Sequence, residues 1–181
     1  MTEPSRTEGL PSDSAEQRDA DDWLIARLEA ELHVSLQRHG APSPAVTGVQ
    51  LDGFALSQPP VLCEAWAHVG RPKPAQKNKV LADALKLVWV QKACFPDGAE
   101  KYLLFGDQTA ARHFTDRAWA SRALAALRVV VRVYDFDEDR HRRLLEAQHR
   151  QGERFAGRQR PSQRRPGRPR SSGGRGSRSS S

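Results

Sequence analysis

The segment from Val61 to Lys86, VLCEAWAHVGRPKPAQKNKVLADALK, constrains the fold more than any other part of the chain. It sets one acid, Glu64, in an apolar run of strand character, breaks that run at Gly70-Arg71-Pro72-Lys73-Pro74, and opens a helix directly afterwards. The prolines lack an N–H and cannot enter a central strand, so the loop separates the two elements. At about 100° per residue, Gln76, Lys79, Asp83 and Lys86 fall within one arc of about 80°. Val80, Leu81, Ala84, Leu85, Leu87 and Val88 fill the adjoining arc. The polar stripe therefore borders the buried face of the helix instead of opposing it.

Around this unit the chain alternates strands and helices. Asp21 to Gln37 reads as a helix, with Asp21 or Asp22 as N-cap and Leu24, Leu28, Leu32 and Leu36 recurring every four residues. His39-Gly40 with Pro42 and Pro44 ends it. Val46 to Leu56 holds a strand in which Val49 and Leu51 alternate against Gln50 and Asp52. Ser57-Gln58-Pro59-Pro60 is a turn, and Val61 to Val69 a second strand. The helix from Ala75 to Ala93 ends at Phe95-Pro96-Asp97-Gly98. Lys101 to Phe105 is a third strand, Thr109 to Leu127 a helix, Val129 to Tyr134 the strongest strand signal, and Asp137 to Arg150 a charged helix. The order is α-β-β-α-β-α-β-α. Helical crossovers imply parallel strands and the short Pro-Pro connection implies a hairpin, so the expected fold is α/β, a mixed sheet of about four strands flanked by helices.

The net charge of +7 over 181 residues is unevenly placed: Arg154 to Ser181 contains nine arginines and no acid, which leaves −2 on the preceding segment. The high pI thus describes a tail, not a basic globular surface. Residues 1–20 are rich in Ser, Glu, Asp, Thr and Pro and are expected to be disordered, as are residues 153–181 with their Arg, Gly, Ser and Pro. Residues 21–152 hold enough apolar residues for one domain and no more. No apolar run is long enough to span a membrane and no signal-peptide pattern opens the chain. Cys63 and Cys94 have no histidines at zinc-ligand spacing. Cys63 reads as a buried thiol. A soluble, cytoplasmic protein without a membrane partner is the expectation.

Asp52 and Glu64 lie on neighbouring strands across the Pro-Pro turn. Two carboxylates placed so can chelate a hard divalent cation, Mg²⁺ or Mn²⁺, which polarises a phosphodiester. Lys73, Gln76 and Lys79 would then orient water or neutralise developing charge. These residues resemble the PD-(D/E)XK nuclease superfamily, through Leu51-Asp52, Glu64-Ala65-Trp66 and a helix opening with Gln76 and Lys79. They also resemble a group of uncharacterised bacterial proteins with the pattern E-x-x-A-x-x-G-x-x-K-x-A-Q-x-x-K-x-x-x-D-x-x-K-L, here Glu64, Ala67, Gly70, Lys73, Ala75, Gln76, Lys79, Asp83, Lys86 and Leu87.

The resemblance implies a restriction-endonuclease-like αβββαβ core, with Asp52, Glu64 and the Ala65 carbonyl as metal ligands. Glu31, on the face of Leu24 and Leu28, resembles a helical acid that some members add. The family's lysine belongs two residues after the glutamate, where this chain has Trp66. Lys79 is the replacement the resemblance suggests, with Lys73 next.

Each of these residues also has a structural reading. Asp52-Gly53 is what an ordinary turn contains. Glu64, costly to bury alone, could simply be paired with Lys79 or Lys86. Trp66, Trp89 and Trp119 read as core or cleft walls.

In the tail, Arg158, Arg160, Arg164, Arg165, Arg168 and Arg170 suit sequence-independent, salt-sensitive binding of nucleic acid, DNA in preference to RNA. Arg165-Pro166-Gly167-Arg168-Pro169-Arg170 loosely resembles an AT-hook. Three functions remain open: a metal-dependent nuclease-like domain, a catalytically inactive nucleic-acid-binding or accessory protein, and a protein-interaction module.

Overall fold

The structure, a computed structural model, describes residues 15–158. Five helices and five strands alternate: α1 (Ala15–Leu32), β1 (Gln37–Gly40), β2 (Leu51–Ala55), β3 (Val61–Trp66), α2 (Pro74–Cys94), β4 (Glu100–Phe105), α3 (Gln108–Thr115), α4 (Trp119–Ala126), β5 (Val129–Val133) and α5 (Glu138–Arg158). The strands form one open sheet in the order β1-β2-β3-β4-β5. β1, β2 and β3 pair antiparallel, while β3, β4 and β5 pair parallel. The switch occurs where the connection changes from a turn to a helix, because only a crossover returns the chain to the same end of the sheet.

Helices cover both faces. On one, Ala20, Leu24, Ile25 and Leu28 of α1 and Leu144 of α5 pack on Val61, Cys63, Ala65 and Leu104. On the other, Val80, Ala84, Leu87 and Val88 of α2 pack with Phe114 of α3 and Leu124 of α4 against Leu62, Trp66, Leu103 and Phe105. β3 feeds both clusters by alternation, which places Leu62, Glu64 and Trp66 together on the α2 face. Gly53 allows β2 to lie flat here, since a Cβ there would come within 2.8 Å of Cys63 Sγ and 3.2 Å of Ile25 Cγ2.

The architecture departs from the sequence reading in several places. There are five strands, not about four. The extra one, β1, reads Gln-Arg-His-Gly and carries no apolar residue to signal it. The first helix begins at Ala15 and buries Ala20, ahead of the expected start at Asp21. It stops at Leu32, short of Gln37. His33 adopts a left-handed φ of 55°, and the Glu29 carboxylate then accepts from Leu36 N–H and the Arg38 guanidinium, each at 2.7 Å. That carboxylate turns the chain back to form β1.

The strand expected at Val46–Leu56 is confined to Leu51–Ala55, and Pro44–Val46 is a 3₁₀ turn. The single helix expected over Thr109–Leu127 is broken at Asp116–Ala118. A continuous helix would turn Ala120 and Leu124 about 120° and about 80° away from Phe114, toward the edge of the core. The break resets the phase, and Phe114, Ala120 and Leu124 are all buried. Trp66 is core as expected, but Trp89 and Trp119 are exposed.

Candidate carboxylate–lysine site

Glu64 is carried inside the sheet by residues that have every reason to be there. Cys63, Ala65 and the rest of β3 are buried on both faces, so the strand drags its one acid into the core with them. Only 3 % of Glu64 is exposed. The β2–β3 register pairs Gly53 with Cys63, and continuing it by one residue sets Asp52 opposite Glu64. Cross-strand partners share a face, so both carboxylates point to the α2 side. Both Asp52 and Gly53 lie within β2, which removes the turn reading. Asp52 Oδ2 accepts the Ala65 N–H at 2.9 Å, a side chain serving as acceptor beside the ladder.

α2 supplies the counter-charge. Lys86 Nζ donates to Glu64 Oε2 at 2.7 Å and to the Gln50 carbonyl at 3.1 Å. Asp83 Oδ1 stands 3.6 Å from the same ammonium, and Asp83 Oδ2 stands 3.4 Å from Lys79 Nζ. The other oxygen of Glu64, Oε1, is buried without a hydrogen-bond partner among the described residues.

Burial, then the charge of Asp52, pushes the Glu64 carboxyl up to about 9, against the pull of Lys86. Burial lowers the Lys86 pKa, but Glu64, Asp83 and Asp52 outweigh it and the ammonium is held above its ordinary value. Burial dominates the first shift, and the carboxylates gathered around the ammonium account for the second. The buried acid therefore favours its protonated form. The Cys63 thiol on the opposite face is pushed up by burial and by Asp52 and Glu64, so it is an inert buried thiol.

The structure sorts the expected site residues. Asp52, Glu64 and Ala65 come together as expected. Lys79 reaches the group only through Asp83, and its side chain is 65 % exposed. Lys73 is the N-cap of α2, where its N–H donates to Gln76 Oε1 at 2.8 Å. Gln76 Nε2 meets the His68 ring at 3.2 Å, so Gln76 belongs to the helix start and not to the carboxylates. Glu31 is not brought to them either. It lies on the α1 face, where Arg132 Nε and Tyr134 Oη of the β5 end bind it at 3.0 and 2.5 Å.

Arg158 closes α5, and Arg160, Arg164, Arg165, Arg168 and Arg170 lie outside the described residues. Lys86, which the sequence offers only as a structural partner of Glu64 and not as a site lysine, is the one that reaches it. It stood in the polar stripe beside Leu87, and that adjacency to the most buried arc was the available signal.

A second polar group lies at the carboxyl ends of the parallel strands. Asp107 caps α3 and accepts from Gly70 N–H at 2.9 Å, Ala110 N–H at 3.1 Å and His141 Nε2 at 3.3 Å. The His68 ring lies tilted against Trp66 with ring centroids 4.8 Å apart, and burial, more than the nearby Asp107 offsets, lowers its pKa to about 4. It is a neutral ring at physiological pH.

No group of three or more His, Cys, Asp or Glu side chains placed to hold a metal occurs among the described residues. No described helix is long and apolar enough to cross a membrane. Comparison of the chain with family models, with curated proteins and with solved structures finds no match.

Proposed function

We propose that the chain carries a Mg²⁺- or Mn²⁺-dependent nuclease-like domain of restriction-endonuclease-like fold, which hydrolyses phosphodiester bonds in nucleic acid, DNA in preference to RNA. The observation that carries this reading is the buried Glu64 carboxylate, facing Asp52, with Oε1 unpaired and Lys86 Nζ 2.7 Å from Oε2. The resemblance to the PD-(D/E)XK superfamily supports it, and the order α1-β1-β2-β3-α2-β4 follows that family's αβββαβ core. Asp52 and Glu64 fit a hard cation, since Mg²⁺ typically takes one or two carboxylates and keeps several waters. Two carboxylates therefore suffice without a cage of three among the described residues.

In this reading Asp52 and Glu64 would hold the cation, with the Ala65 carbonyl as the further ligand that the resemblance implies. The cation would supply a Lewis acid for phosphoryl oxygens and water. Lys86 replaces the lysine absent from position 66. Its raised pKa keeps it an ammonium, so it orients Glu64 and stabilises developing negative charge, and does not serve as a base. The α2 helix fixes this geometry, because Ala84, Leu87 and Val88 anchor the turn that carries Lys86.

The test is cleavage of single- and double-stranded DNA and of RNA by the full chain, with Mg²⁺, Mn²⁺ or EDTA. The reading expects cleavage that requires metal and is lost in Glu64→Gln and Asp52→Asn. Cleavage that survives both substitutions would refute it.

The Lys86–Glu64 contact also favours a second reading, an inactive nucleic-acid-binding or accessory protein in which the pair is structural and the arginine tail gives affinity. Under it no metal-dependent cleavage occurs, Glu64→Gln leaves nucleic-acid affinity intact, and removing residues after Arg158 abolishes salt-sensitive binding.

A further inference from the structure

A cavity of about 330 Å³ opens between the start of α2 and α3, lined by Arg71, Pro72, Lys77, Thr109, Arg112 and His113. Arg71, Lys77 and Arg112 form no ion pair among the described residues, as is also true of Lys73, Lys92 and Arg122, but only these three converge on one cavity. Three unpaired cations around one cavity repel each other, and a bound anion relieves that repulsion.

Asp107, the cap of α3 two residues before Thr109, is already engaged. Its Oδ1 accepts from the N–H groups of Thr109 and Ala110, and its Oδ2 from Gly70 N–H and His141. His113 responds to the same field: burial, then the charge of Lys77, lowers its pKa, so the ring adds no further positive charge at neutral pH.

We propose that this cavity is a phosphate-binding site, in which Arg71, Arg112 and Lys77 receive the oxygens of a phosphate group. Guanidinium forks match phosphate oxygens in pairs, and the ammonium adds a point charge. Three cations suit a group carrying about two negative charges better than a single carboxylate. A cavity of this size also holds the sugar or nucleoside attached to such a phosphate.

The site is separate from the carboxylates. Lys77 and Lys86 are nine residues apart on α2, about 13 Å along its axis and on opposite flanks. The inference therefore stands independently of the nuclease reading, and it applies equally to a backbone phosphate of nucleic acid and to a free phosphoryl compound.

The test is two-dimensional NMR of the full chain in EDTA, titrated with inorganic phosphate and, separately, with an octathymidylate lacking terminal phosphates. Inorganic phosphate is expected to shift Thr109, Arg112 and His113 saturably and to raise the His113 pKa. The double variant Lys77→Gln/Arg112→Gln should weaken that binding at least tenfold. Both side chains reach the surface, and unshifted signals elsewhere report an intact fold.

Octathymidylate saturating the same signals at lower concentration would support the site with a backbone phosphate as ligand. Saturation by inorganic phosphate alone would support it with a free phosphoryl compound. No saturable shift with either, or equal affinity in the double variant, would overturn it. Because no metal is present, failure of metal binding at Glu64 leaves this result unaffected.

Discussion

The Glu64→Gln substitution keeps the shape of the side chain and removes its charge, so it isolates what the buried carboxylate does to stability. Burial and Asp52 raise this carboxyl from an ordinary 4.5 to about 9 in the folded protein. Between those values the folded state keeps a proton that the unfolded chain has released. Stability from this group is therefore full below pH 4.5 and lost as pH rises toward 9. One proton corresponds to a slope of about 1.4 kcal/mol per pH unit, so raising the pH from 5.5 to 7.5 should cost roughly 3 kcal/mol.

Urea unfolding of wild type and Glu64→Gln at pH 5.5, 6.5 and 7.5 in EDTA reads the difference directly. Other titrating groups, His68 and Asp107 among them, are common to both proteins and cancel. The wild type should lose stability relative to the variant by that amount across the two units. The absolute offset between them also contains the loss of the Lys86 contact, so the slope is the diagnostic quantity. Parallel pH curves would mean that Lys86 alone neutralises Glu64, and the argument for a protonated buried acid would fall.

Lys86→Met should reduce metal-dependent cleavage by about 10²–10³-fold, the scale of removing one preorganised donor, while Lys79→Met stays within a few-fold of wild type; single-turnover kinetics distinguish them. Gly53→Ala should destabilise by about 1–3 kcal/mol in urea unfolding, because its methyl meets Cys63 Sγ at 2.8 Å inside the sheet. Removing residues 159–181 deletes seven arginines and should reduce the slope of log affinity against log salt by up to about 6 in DNA-binding titrations.

Much of the fold was legible because the core speaks in periodic patterns. The apolar run at Val61, the helix of Val80, Ala84, Leu87 and Val88, and the valines of β5 each announced their element, and the hairpin and crossover logic gave the mixed sheet. β1 was not legible, since an edge strand of Gln-Arg-His-Gly is held by backbone pairing and by a carboxylate seven residues upstream of Leu36. The break between α3 and α4 was hidden for a related reason: alanine-rich sequence favours helix throughout, and only tertiary phase demands the kink.

At the site, Glu64 stood out because an acid in an apolar strand is costly and needs a partner, and Asp52 because the Pro-Pro hairpin puts it on the neighbouring strand. Lys86 was underweighted because spacing defines an arc but not which member of it points across to β3. Helix height decided that, and Lys79 sits two turns too close to the start of α2. Glu31 shared a helix face with core leucines, but that face packs on the other side of the sheet.

Calorimetric titration of the full chain with Mg²⁺ at pH 8, for wild type, Asp52→Asn and Glu64→Gln, tests the central claim most directly. Wild type should bind one cation with release of a proton, seen as a buffer-dependent enthalpy, and both variants should bind at least tenfold more weakly while circular dichroism shows an unchanged fold. Wild-type binding that is absent, or that persists unchanged in both variants, would contradict a metal site at Asp52 and Glu64.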